Sequence, residues 1–84
     1  MIKILHVDDE ADIRAITKLA LESIGGFNVT SCASGTEAIA TVADVAPELI
    51  VMDVMMPEMD GPTTFRALQD IPDANRIPVI FMTA

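Results

Sequence analysis

Three aspartates carry the chemistry that can be read from this chain. Asp8 and Asp9 follow the short apolar run Ile2-Lys3-Ile4-Leu5-His6-Val7, and Asp53 ends a second run, Leu49-Ile50-Val51-Met52. A charged side chain at the end of an apolar strand is poorly placed for stability, because desolvating a charge is costly unless it is paired. If the two runs lie side by side and parallel, the three acids converge on one edge of a sheet. Such a cluster suits a divalent cation, and it places Asp53 beside that cation as a nucleophile.

The elements that must deliver these acids follow from periodicity and punctuation. Residues 2–7 read as a buried parallel strand, apolar on both faces apart from Lys3 and His6. A helix is predicted over 11–24, with Ile13, Ile16, Ala20 and Ile24 on its inward face, Leu19 and Leu21 beside them, and Gly25-Gly26 as its stop. Residues 27–32 read as a shorter, more polar edge strand. Ser34-Gly35-Thr36-Glu37 has the pattern of a capping box before a helix that turns Ala38, Ile39, Val42 and Ala43 inward and stops before Pro47. Leu49 to Asp53 is a third strand and 54–61 a loop. Pro62 opens a third helix that buries Phe65 and Leu68, with Asp60 or Gly61 as its cap, and a fourth strand covers 78–83. Strict alternation of strand and helix implies one domain, residues 1–84. It is a three-layer α/β fold, a parallel sheet with right-handed crossovers and helices on both faces.

Composition narrows the function. The chain has 84 residues, 51% of them hydrophobic, and a formal net charge of −8 with only five Lys and Arg. That balance argues against direct nucleic-acid binding, which needs basic residues for phosphate contacts, and favours a cation site or a basic partner surface. No apolar run approaches the roughly 20 residues that cross a bilayer, so no membrane role is expected. The N-terminus places acids where a signal peptide would stay apolar, so the expected location is cytoplasmic. Cys32 is the single cysteine and reads as a small buried strand residue rather than a reactive thiol. His6 reads as a hydrogen-bonded core histidine, and Glu10 and Asp12 as first-turn acids favoured by the helix dipole.

In open parallel sheets, ligands bind outside the carboxyl ends of the strands where the strand order reverses. Asp8, Asp9, Asp53 and Thr83 all fall at such ends. The segments Val7-Asp8-Asp9-Glu10, Val51-Met52-Asp53-Val54-Met55-Met56-Pro57-Glu58-Met59-Asp60-Gly61 and Phe81-Met82-Thr83-Ala84 together resemble the receiver domain of two-component response regulators. The resemblance implies a flavodoxin-like sheet, of order 2-1-3-4 over this chain, without the family's last helix, strand and helix. It implies that Asp53 accepts a phosphoryl group from a sensor histidine kinase or a phosphotransfer protein. Mg²⁺ would be bound directly by Asp9, Asp53 and the main-chain carbonyl of Met55, and by Asp8 largely through water. Thr83 would hydrogen-bond a phosphoryl oxygen and so shift a two-state surface. The family's fifth-strand Lys has no counterpart here, since Lys3 and Lys18 lie in other elements.

Two other functions compete. A self-associating interaction module would use the apolar edge Val79-Ile80-Phe81-Met82 to form a homo-oligomer. A phosphatase of the haloacid dehalogenase type would also use a strand-end Asp nucleophile, but it needs a second Asp two residues later, where this chain has Met55.

Overall fold

The structure, a computed structural model, describes residues 1–82. Thr83, expected at the end of the fourth strand, lies outside the described residues. The elements alternate as β1 (Lys3–Val7), α1 (Ala11–Ser23), β2 (Asn28–Cys32), α2 (Gly35–Val45), β3 (Leu49–Asp53), α3 (Gly61–Gln69) and β4 (Val79–Met82). All strand pairs are parallel, and the order is β2-β1-β3-β4, as expected.

Strand β1 is flanked on both sides, by β2 and β3, and its Ile4, Leu5, His6 and Val7 are all buried. Alternation along the strands divides them between two faces. Leu5, Val7, Cys32, Ile50 and Met52 share one face and form a single core with Ala38 and Val42 of α2 and Leu68 of α3. The other face carries Ile4, His6, Val29 and Val51, and α1 lies over its β1–β2 half.

Local signals explain the helix ends. The Ser34 side chain accepts from the Glu37 N–H at 3.1 Å, the first half of the expected capping box. Glu37 reaches one residue further back than expected and accepts from the Ala33 N–H at 3.1 Å. The Asp60 carboxylate caps α3 by accepting from Thr63 N–H at 2.8 Å, with Gly61 and Pro62 in the first turn. That bond holds the Asp60 carboxyl below its ordinary range. The stop of α2 is unexpected in kind: Ala46 closes it in the left-handed region, φ 49°, before Pro47.

Three expectations about packing need correction. Helix α1 has the expected extent but no buried residue. Its half-buried positions are Arg14, Thr17, Leu21 and Glu22, while Ile16, Leu19 and Ile24 are 64%, 67% and 88% exposed. The apolar stripe has helical period, but its phase is turned away from the sheet. Ala43 of α2 is exposed rather than inward. Phe65 of α3, expected to be buried, is only half-buried, whereas Met56 of the preceding loop is buried in the main core.

Candidate functional site

The acid edge is a product of register. Val7 pairs with Met52 across β1 and β3, so the next residues, Asp8 and Asp53, stand side by side where both strands end. The Asp8 N–H continues the ladder to the Cys32 carbonyl at 3.1 Å, and this holds Asp8 at the strand tip. Asp8 is buried, Asp53 half-buried and Asp9 exposed. One carboxylate oxygen from each of the three lies within 4.8 Å of the others, so the predicted cluster is present.

Each flanking loop turns on one of these acids. The Asp8 carboxylate accepts from Glu10 N–H at 2.9 Å, and Asp53 accepts from Met55 N–H at 3.2 Å. Both are side chain to backbone bonds two residues ahead, which Asp makes readily and which bend the chain sharply at a strand end. Among the described residues these bonds use one oxygen of each carboxylate. Glu10, not Asp9, stands at the start of α1, and its side chain makes no capping bond. The Asp9 carboxylate is therefore not committed to the helix.

The loop after Asp53 returns tightly on itself. Gly61 N–H donates to the Val54 carbonyl at 2.9 Å. A Cβ at Gly61 would stand 2.5 Å from the Asp53 carbonyl oxygen and 3.0 Å from Val54 Cα. Glycine is required there for close approach, and the start of α3 packs directly behind Asp53. Glu58, in the same loop, takes a left-handed φ of 67°. The two methionines diverge: Met56 points into the core, whereas the Met55 side chain is 75% exposed. Met55, Met56, Pro57 and Asp60 of this loop line a groove of about 400 Å³.

Two further residues belong to this edge, and the first, Arg14, was not singled out by sequence reasoning. The Arg14 guanidinium donates from NH1 to the Asp8 main-chain carbonyl at 2.8 Å. An arginine at helical spacing after two acids was the available signal. His6 is the second. It lies two residues before Asp8 on the same face and is fully buried, as expected, but neither ring nitrogen has a hydrogen-bond partner among the described residues. The expected hydrogen-bonded core histidine is corrected to that extent: α1 presents no polar group that reaches the ring. Burial holds the His6 pKa down, and nearby Asp8 opposes that shift. Ser31, its register neighbour on β2, has a buried hydroxyl in the same condition.

Among the described residues, no helix is long and apolar enough to cross a membrane. The sequence profile of the response regulator receiver domain matches residues 4–84. The chain is 42% identical over 82 residues to a probable transcriptional regulator, ycf27, of Porphyridium aerugineum, covering 98% of this chain and 32% of that protein. It superposes with a TM-score of 0.92 on the N-terminal domain of a response regulator receiver protein from Methanoculleus marisnigri JR1. The two are 34% identical, with 98% of this chain and 66% of that chain covered. A third similarity is to the receiver domain of the sensor histidine kinase PA1611 from Pseudomonas aeruginosa PAO1, solved with a magnesium ion coordinated in its active site cleft. There the TM-score is 0.89 and the identity 29%, over 98% of this chain and 66% of that one. The chain thus spans about a third of the ycf27 regulator and about two thirds of these solved chains. With strand order, acid edge and profile in agreement, the chain belongs to the response regulator receiver domain family.

Proposed function

We propose that this receiver accepts a phosphoryl group on Asp53 from a sensor histidine kinase or phosphotransfer protein, in a Mg²⁺-dependent step of a cytoplasmic phosphorelay. The observation that carries this reading is the convergence of Asp8, Asp9 and Asp53 within 4.8 Å. An all-oxygen donor set fits a hard cation that keeps several waters. In the ligand arrangement that the family resemblance implies, Asp9 and Asp53 would hold the ion directly, Asp8 would act through water and the Met55 carbonyl would add a further oxygen. Bound there, Mg²⁺ supplies positive charge that offsets the crowded carboxylates and the incoming phosphoryl oxygens.

The residues themselves do the following. The Asp53 carboxylate oxygen not bonded to Met55 N–H attacks phosphorus. The bond from phosphorus to the donor breaks, its electron pair stays with the donor, and an acyl phosphate forms on Asp53. Gly61 lets the loop lie close behind Asp53 and so fixes the direction of attack. Thr83, the residue after Met82 in sequence, would hydrogen-bond a phosphoryl oxygen and pass the change to the surface. This is self-catalysed phosphotransfer and slow dephosphorylation, not the turnover of an enzyme.

Incubation with acetyl phosphate and Mg²⁺ tests the proposal. Labelling is expected in the wild type, is lost on chelation and is lost in Asp53→Asn. Labelling retained by that variant would reject Asp53 as the acceptor.

A second reading, self-association, has one observation in its favour. The outer edge strand β4 leaves Ile80 53% and Phe81 39% exposed. Light scattering on a size-exclusion column tests it, and a monomer at all concentrations would reject it.

A further inference from the structure

Residue 14 holds the acid turn from two sides. Its backbone N–H donates to the Glu10 carbonyl at 3.0 Å, and its guanidinium donates to the Asp8 carbonyl at 2.8 Å. Asp9, an expected direct cation ligand, lies between the two residues so held. The Asp9 side chain is exposed and makes no hydrogen bond among the described residues. Its placement therefore depends on its flanks. The sheet-facing stripe of α1 is largely polar, and no residue of that helix is buried. Besides its packing, α1 is tied to the sheet by polar bonds: Arg14 at the acid end and, at the other, Glu22, which accepts from Val29 N–H at 3.2 Å. With apolar docking of α1 weak, the Arg14 bond ties the helix to the turn that presents Asp8 and Asp9, beside the Asp8 N–H bond to Cys32 and the Asp8 carboxylate bond to Glu10 N–H.

We infer that Arg14 is a positioning residue for the cation pocket: its guanidinium, by holding the Asp8 carbonyl, sets the turn that aims the Asp8 and Asp9 carboxylates at a shared divalent ion. The inference rests on the Mg²⁺ reading of the pocket. It makes a prediction of opposite sign to simple electrostatics. Removing a positive charge beside a cation site relieves repulsion and should tighten binding. Removing a group that orients ligands weakens binding, by about tenfold or more for outer-shell partners of metal sites.

The test is calorimetric titration of Mg²⁺ into wild type, Arg14→Met, Arg14→Gln and Arg14→Lys, with Asp9→Asn as a ligand control and thermal melts to check folding. Arg14→Met and Arg14→Gln are expected to bind Mg²⁺ about tenfold more weakly. The bond is single, so one ammonium donor suffices and Arg14→Lys should recover most of the affinity. Arg14→Gln, with a polar head suited to a half-buried position, carries the sign test if Arg14→Met does not fold. Unchanged or tighter binding in a folded charge-removing variant would overturn the inference while leaving the pocket intact. No Mg²⁺ binding by the wild type would instead reject the pocket, and this inference with it.

Discussion

The two faces of the sheet are built on different principles. Under α2 and α3, Leu5, Val7, Cys32, Ile50 and Met52 meet Ala38, Val42, Met56 and Leu68 in a closed apolar core. Under α1 the sheet carries Ile4, Val29 and His6, whose ring has no hydrogen-bond partner among the described residues, and the helix above contributes Arg14, Thr17, Leu21 and Glu22. The first face supplies the fold's stability. The second carries the acid edge, since Asp8 and Asp53 fall on the same side as His6 and Val51. The site thus sits on the more loosely packed and more polar half of the molecule, which agrees with the tendency of functional sites to occupy regions of low local stability.

Substitutions can break that contrast. Leu68→Ala removes a fully buried side chain from the closed face and should cost about 2–5 kcal/mol by urea denaturation, whereas Ile16→Ala on the exposed stripe of α1 should change stability by no more than about 0.5 kcal/mol. Equal losses at both positions would erase the distinction between the faces. Gly61→Ala comes next. Its Cβ would meet the Asp53 carbonyl at 2.5 Å, so backbone must shift, at a cost of about 1–3 kcal/mol. Phosphoryl labelling should fall further than stability does, because the shift occurs at the acceptor. A Gly61→Ala protein that labels at the wild-type rate would remove that residue from the site.

Smaller effects sharpen the comparison. His6→Leu replaces a buried ring that lacks partners among the described residues with an apolar side chain and should stabilise the fold by about 1 kcal/mol. A loss of stability on that change would reveal a polar partner for the imidazole. The smallest effect concerns Cys32 on the closed face, where burial pushes the thiol pKa up. A raised folded pKa means that this stability is fully present below the unfolded pKa, roughly 8.5, and is lost as pH rises through the folded value. Wild type should weaken more steeply than Cys32→Ala as urea midpoints are followed into the alkaline range. Parallel slopes would count against a protonated buried thiol.

Much of this was legible in the sequence, for identifiable reasons. Strand-end acids after apolar runs, Ser34 and Asp60 before helices, and unbroken alternation of strand and helix are local signals, and each led to the right element. What stayed hidden depends on tertiary placement. The Ile13, Ile16, Ala20 and Ile24 spacing proves a helix but does not state which way its stripe points. The sheet selected the neighbouring stripe through Arg14, Thr17 and Leu21. The left-handed turns at Ala46 and Glu58 fall on residues with no marked preference for that conformation. The role of Arg14 needs the three-dimensional return of α1 onto the Asp8 carbonyl. Met56 was inward for a similar reason: a loop methionine fills whatever gap the two flanking helices leave.

The most direct test of the central claim is to locate the phosphoryl group by peptide mass spectrometry after reaction with acetyl phosphate and Mg²⁺. A single modified site at Asp53, absent after chelation and absent in Asp53→Asn, is the predicted result. Modification at another residue, or undiminished modification without a divalent cation, would contradict it.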